Sequence, residues 1–317
     1  MAMKKTLMIS LIFTIGLVGG TWAESAVDDI TIRYNKSLDN AKAYCTGLTG
    51  KIDQVKLMAG IGIGAGGVGT IAGGAAVITG IMKSKTDDEI AKIEEEMENS
   101  KLTEEQIAAM SAQEHLKRLQ EIDDYLKAKS EQIAEKKNKS QTLGNIRTAG
   151  AFVAGAGGVA GAATSFTGAN LLDTLIKDID ACNSSVAEIE KQTTELRLES
   201  PDDPAIAQMN KITEACKGLN SKNIAEVKKA MFASGVVSAV GAAAGITGGI
   251  TSAIAVSKEK NGASATADGG TKGLNMAANI SSGVAAVGNL GGAILSGVVL
   301  GGLITNGETA AKCKEVF

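Results

Sequence analysis

The residues of this chain best able to form bonds are four cysteines, Cys45, Cys182, Cys216 and Cys313, and one histidine, His115. Zinc sites are built from closely spaced Cys or Cys–His pairs. None of these cysteines lies near another or near His115, so no metal centre is predicted. An even set of widely spaced thiols instead fits two disulfides, provided the chain reaches an oxidising compartment.

Other chemistry is thinly supplied. Glu94-Glu95-Glu96 and Asp123-Asp124 look like acid pairs. Runs of acid along an exposed helix are more simply a solvated face, and catalytic carboxylates need a walled cleft that separates their pKa values. His115 lies in the same charged stretch with no evident Ser or Cys nucleophile beside it. The run from Gly62 to Gly67 matches G-x-G-x-x-G, as does Gly64 to Gly69, with Asp87 at a tempting distance. That fingerprint requires a preceding strand in a βαβ unit, and residues 52–58 read as helix. No G-x-x-x-x-G-K-[ST] or H-E-x-x-H is present. The expectation is a protein that is not an enzyme, with no cofactor and no metal.

Composition narrows the classes further. Gly is 39 of 317 residues and Pro is 2, which excludes collagen. A net charge of −3 without a basic stripe argues against nucleic acid as a partner. The basic cluster Lys136, Lys137 and Lys139 suits either a lipid head group or a solvated helix end.

The N-terminus predicts export. Lys4 and Lys5 precede an apolar run from Leu7 to Val18, and Thr21-Trp22-Ala23 offers small residues for cleavage after Ala23. Residues 1–23 are therefore read as a signal peptide of bacterial style. The protein is placed in the cell envelope (periplasm or membrane) or outside the cell.

Four apolar runs dominate the rest, at 57–82, 148–173, 230–257 and 273–307. Each is long enough, at 1.5 Å per residue, to cross a hydrocarbon core of about 30 Å. Small residues recur every four positions within them: Gly62 and Gly66, Gly157 and Gly161, Gly241, Gly245 and Gly249, and Ala293, Gly297 and Gly301. A four-residue step keeps them on one helix face, where a neighbouring backbone can approach. These ten positions are the predicted helix-packing sites. A period of two is absent, so strands are not predicted.

The pattern repeats. Cys45 opens Cys-Thr-Gly-Leu and Cys216 opens Cys-Lys-Gly-Leu, and an apolar run follows each. An excursion, a second apolar run and a second Cys complete each unit. The first unit is 24–200 and the second 201–317, parted near Ser200-Pro201-Asp202-Asp203-Pro204, which holds both prolines. The first excursion, 83–143, is charged, with apolar residues at helical spacings from Ile90 to Ile133. It reads as a coiled-coil-like helical arm and a possible site for a protein partner. Capping boxes are expected at Thr103 with Gln106 and at Ser111 with Glu114. The second excursion, 258–272, reads as a loop.

The fold class expected is all-α: two tandem helical hairpins, the first carrying the arm. The repeat favours Cys45–Cys182 and Cys216–Cys313, because each hairpin brings its own two cysteines to one end. Cys45–Cys216 with Cys182–Cys313 is the rival pairing. Two functions remain. One is an exported, non-enzymatic protein whose apolar helices enter a lipid bilayer and assemble as homo-oligomers, in the manner of a pore-former or translocator. The other is a soluble exported structural or interaction protein, a disulfide-clamped Gly/Ala bundle that oligomerises.

Overall fold

A computed structural model describes residues 23–101, 111–265 and 270–317. The signal-peptide stretch before Ala23 and the Thr103–Gln106 capping box lie outside the described residues. All six elements described are α-helices, and no strand occurs among the described residues. They are α1 (Ala23–Cys45), α2 (Leu48–Asn99), α3 (Ala112–Glu199), α4 (Ala205–Cys216), α5 (Ser221–Lys260) and α6 (Lys272–Glu315).

The breaks between helices follow local chemistry. Pro201 and Pro204 cannot donate to a helical ladder, and α3 ends at Glu199, just before them. Asp203 accepts a hydrogen bond from the Ala205 N–H at 2.8 Å, satisfying one of the free donors at the start of α4. Gly218 and Gly262, at φ +108 and +92, follow α4 and α5, where the left-handed conformation favours glycine. At the start of α3, the Ser111 hydroxyl and backbone N–H donate to the Glu114 carboxylate at 2.7 and 3.2 Å, and the Glu114 N–H returns a bond to Ser111 Oγ. That is the expected capping box, and these bonds hold the Glu114 pKa below its ordinary value.

Contacts divide the chain into two compact units. Unit 1 takes the residues up to Thr49, Lys177–Asn220 and Asn306–Phe317; unit 2 takes Gly50–Ile176 and Ser221–Thr305. Each unit therefore draws on both Cys-bounded stretches of the sequence. The proline turn lies within unit 1.

Unit 1 contains both disulfides, Cys45–Cys182 and Cys216–Cys313, with Cα separations of 5.1 and 4.5 Å. All four cysteines are buried. The bridges are neighbours: the sulfurs of Cys45, Cys216 and Cys313 lie within 4.8 Å of one another. Ile30, Tyr34, Leu48, Ile179, Ile189 and Ile212 are buried in the same unit. Ion pairs such as Arg33–Glu195 lie on the outside. Burial pushes the Tyr34 phenol pKa up.

Unit 2 is a bundle of four long helical stretches. Close contacts link α2 to α3, α3 to α5, α5 to α6 and α6 back to α2. In each pair, contacting residue numbers fall along one helix as they rise along the other, so all four neighbours are antiparallel. Beyond the bundle, α2 and α3 run on side by side. Lys136 pairs with Glu89, Lys137 with Glu94 and Lys129 with Glu96. The Lys136 ammonium lowers the pKa of Glu89.

Candidate membrane-facing bundle

Small residues set how closely the four helices of unit 2 approach. A Cβ on Gly245 would lie 2.5 Å from the Gly155 nitrogen, and one on Gly157 would lie 2.7 Å from the Ala65 carbonyl oxygen. Gly241 faces Asn289 and Ala285, Gly249 the Phe152 ring, and Gly161 the Ser238 hydroxyl. Gly62 faces Ser296 and Thr164, and Gly66 faces Asn289 and Ala293. Eight of the ten expected packing positions therefore sit at helix contacts.

Gly297 and Gly301 do not. Neither would place a Cβ within 4 Å of any neighbour, and Gly301 lines an open cleft with Val298 and Thr305. The buried face of α6 is instead Ser282, Ala285, Asn289, Ser296, Val299 and Leu303. Packing angles select one face of α6, and the Gly297–Gly301 step lies off it.

The interior so formed is small and polar. Ala59, Ala76, Ala151, Ala154, Ala242 and Ala285 are buried among Ser165, Ser234, Ser238, Ser252, Ser282 and Asn289. Ser234 Oγ donates to the Gly292 carbonyl at 2.8 Å and lies 3.1 and 3.0 Å from the hydroxyls of Ser165 and Ser296. Asn289 sits in the space left by Gly66, Gly69 and Gly241, and its amide donates to the Ala154 carbonyl at 2.9 Å. One side chain on α6 thus touches all three other helices. A single buried Asn in a helical bundle fixes register.

The exterior is the reverse. Ile61, Val68, Ile71 and Ile78 of α2 face outward, as do Phe152 and Val159 of α3. On α5 the exposed residues include Phe232, Val240, Ile246, Ile250 and Ile254, and on α6 they include Ile280, Val284, Val287, Leu290 and Ile294. Ile71 is 76% exposed and Val287 71%. No charge interrupts this belt. All four helices are long and apolar enough to cross a membrane, with mean hydropathy of 1.3 to 1.8 in their most apolar stretches.

At one end the bundle closes on a buried ionic cluster. Lys83 Nζ donates to Asp87 at 2.6 Å and to Glu259 at 3.0 Å, and the Ser140 hydroxyl donates to Asp87 at 2.5 Å. Thr271 and Asn275 donate to Glu259 at 2.6 and 2.8 Å. Arg147 donates to Ser252 at 2.8 Å and to Asn275 Oδ1 at 2.6 Å. Lys83 pairs with both carboxylates, Arg147 is held by the neutral Ser252 and Asn275, and Thr271 and Asn275 tie Glu259 to the start of α6. Desolvated charges are tolerated when each is paired and hydrogen-bonded.

Sequence reasoning missed this cluster. The signal was present: Lys83, Arg147 and Glu259 each stand within two residues of the end of an uncharged run. Antiparallel helices bring those ends to one level. Asp87, considered only as part of a nucleotide motif, belongs to the cluster and not to a dinucleotide site.

Compared with known proteins, the chain matches no family model, no curated protein and no solved structure.

Proposed function

We propose that this is an exported, non-enzymatic protein whose unit 2 inserts in a lipid bilayer. The observation that carries the reading is the inversion of unit 2. Over the uncharged middle of the four helices, large apolar side chains face outward over an interior mostly of Gly, Ala, Ser and Asn. In water that arrangement exposes what the hydrophobic effect would bury. In lipid it is favourable, because tails solvate the belt while close backbone contact and interhelical hydrogen bonds hold the helices together. The exposed stretch of α2 from Leu57 to Met82 is about 38 Å long at 1.5 Å per residue, enough to span a core of about 30 Å.

The bundle packs through its small-residue faces and assembles further copies through the outer surface, as a pore-forming or translocator-like protein would. The arm outside the bundle is the place for a protein partner.

Carbonate extraction and detergent phase partitioning of the exported protein test the reading. Retention in the membrane pellet and the detergent phase is expected. Release into the aqueous phase as a defined oligomer would overturn it and favour a soluble bundle whose belt is covered by other copies.

A further inference from the structure

Two recesses of unit 2 run into one another. One is a groove of about 600 Å³ between α5 and α6, walled by Val236, Val240, Val284 and Val287. At one end it reaches Asn279 and Ile280, and these same two residues line a second recess of about 310 Å³. The remainder of that recess mixes the apolar Ala265 and Met276 with the polar Ser84, Asp87, Asp88, Lys272 and Asn275. An apolar slot thus opens into a pocket carrying Lys272 and two carboxylates, of which Asp87 is already paired with Lys83.

We propose that this continuous recess binds one zwitterionic glycerophospholipid, with its phosphate at Lys272, its ammonium at Asp88 and one acyl chain along the α5–α6 groove. The inference rests on the membrane reading above and goes beyond it by naming a bound lipid and its site.

Charge argues for the head group. Nearby, Lys83 is already matched with Asp87 and Glu259, and Lys136 with Glu89. Lys272 and Asp88 are exposed, and neither forms an ion pair among the described residues. One unmatched cation and one unmatched anion in a single pocket complement a zwitterion. A purely anionic head group would satisfy Lys272 and be repelled by Asp88.

Length argues for the chain. From Ile280 to Gly291 the groove follows α6 for about 16 Å at 1.5 Å per residue. That is the depth of one leaflet, half of a core of about 30 Å. The groove starts at the polar pocket and runs inward under the apolar belt, as a lipid tail does. Its openness comes partly from Gly283, where a Cβ would have Val77 as its nearest neighbour at 3.9 Å. Its floor is closed at Gly288, where a Cβ would meet the Gly241 backbone at 2.8 Å.

Native mass spectrometry of the full chain in detergent, offered equal amounts of dioleoyl phosphatidylethanolamine and dioleoyl phosphatidylglycerol, tests the site. The expected result is one phosphatidylethanolamine retained per chain in preference to phosphatidylglycerol. Lys272→Glu should lower that retention about tenfold, the loss of one charge-assisted contact. Val284→Trp fills the groove and should abolish retention. Val298→Trp, exposed on the same helix but outside the groove, should leave it unchanged. Circular dichroism establishes that each variant stays helical. Equal retention of both lipids with no effect of Lys272→Glu would overturn the inference. So would a dimer that Val284→Trp prevents, since the groove would then belong to a second copy. Carbonate extraction of the same protein separates the two failures. A carbonate-resistant chain that holds no lipid sinks this inference alone, whereas a carbonate-released chain sinks the membrane reading and this inference with it.

Discussion

Unit 1 and unit 2 bury opposite kinds of side chain. Unit 1 buries Ile, Leu, Met and Tyr together with its disulfides and keeps its charges outside; among its described large apolar residues, only Ile32, Tyr44 and Leu198 are exposed. Over its uncharged middle, unit 2 buries Gly, Ala, Ser and Asn and turns Ile, Val, Leu and Phe outward. Larger buried side chains return only towards its ends, at Ile52, Leu172, Ile224 and Leu303. Hydrophobicity alone therefore does not locate a core. In unit 1 burial of apolar area drives packing. In unit 2 the driving terms are close backbone approach, interhelical hydrogen bonds and a matched ionic cluster.

If that contrast holds, the two units should fail separately, and the largest effect belongs to unit 1. Replacing Cys216 and Cys313 with Ser opens a bridge spanning 97 residues of sequence. In the chain-entropy model a loop of that length contributes about 5 kcal/mol. Hydrogen exchange read by mass spectrometry should show protection lost in α1, α4 and the Lys177–Glu199 end of α3. Peptides from 230–257 and 273–304 should keep theirs. Equal loss in both sets would show that the units are one cooperative body and that the contrast is only compositional.

Much of this was legible in the sequence. Uncharged runs with no period of two implied long helices, and the placement of each Cys around its pair of runs implied the within-repeat pairing. The rival pairing stayed open for a physical reason now visible. Both bridges lie in one cluster, so sequence distance could not choose between them. The ionic cluster was hidden because Lys83, Asp87 and Ser140 sit at the root of a charged stretch whose other charges are solvated. Burial there depends on Glu259 and Arg147, which are distant in sequence. Nor can periodicity say which face of α6 meets a neighbour.

The ionic cluster supplies a second way to sharpen the contrast. Lys83→Met would leave Asp87 and Glu259 facing one another without their shared cation. Removing one partner of a buried pair costs about 3–5 kcal/mol. Lys136→Met removes the partner of Glu89 on the outside of the arm, where an exposed pair contributes at most about 1 kcal/mol. Thermal unfolding in detergent should separate the two variants clearly. Similar shifts in both would mean that the cluster is hydrated and that the closed end of the bundle is not sealed.

The smallest expected effects test the inversion most directly, because they differ in sign. Gly245 and Gly297 look alike in sequence: each has a small residue four positions to either side, in an apolar run. Their surroundings differ. A Cβ on Gly245 would lie 2.5 Å from the Gly155 nitrogen and 2.7 Å from its Cα, and backbone cannot swing aside as a flexible side chain can. Gly245→Leu should therefore force α3 and α5 apart, at about 1–3 kcal/mol for overpacking. A Cβ on Gly297 would meet nothing within 4 Å. Gly297→Leu replaces a poor helix former with a good one and should stabilise the helix by about 1 kcal/mol. In lipid the added side chain joins a belt that is already apolar, so the assembly state in detergent should be the same as that of the unsubstituted protein. In water it would enlarge an exposed apolar patch and promote association. Melting temperature in detergent gives the sign at each position, and size-exclusion chromatography gives the assembly state. Opposite signs with unchanged assembly fit a bundle packed inward on glycine and turned outward to lipid. Destabilisation at Gly297 would mean that a partner already covers this face, so that the surface of α6 is an interface between copies and not a lipid boundary.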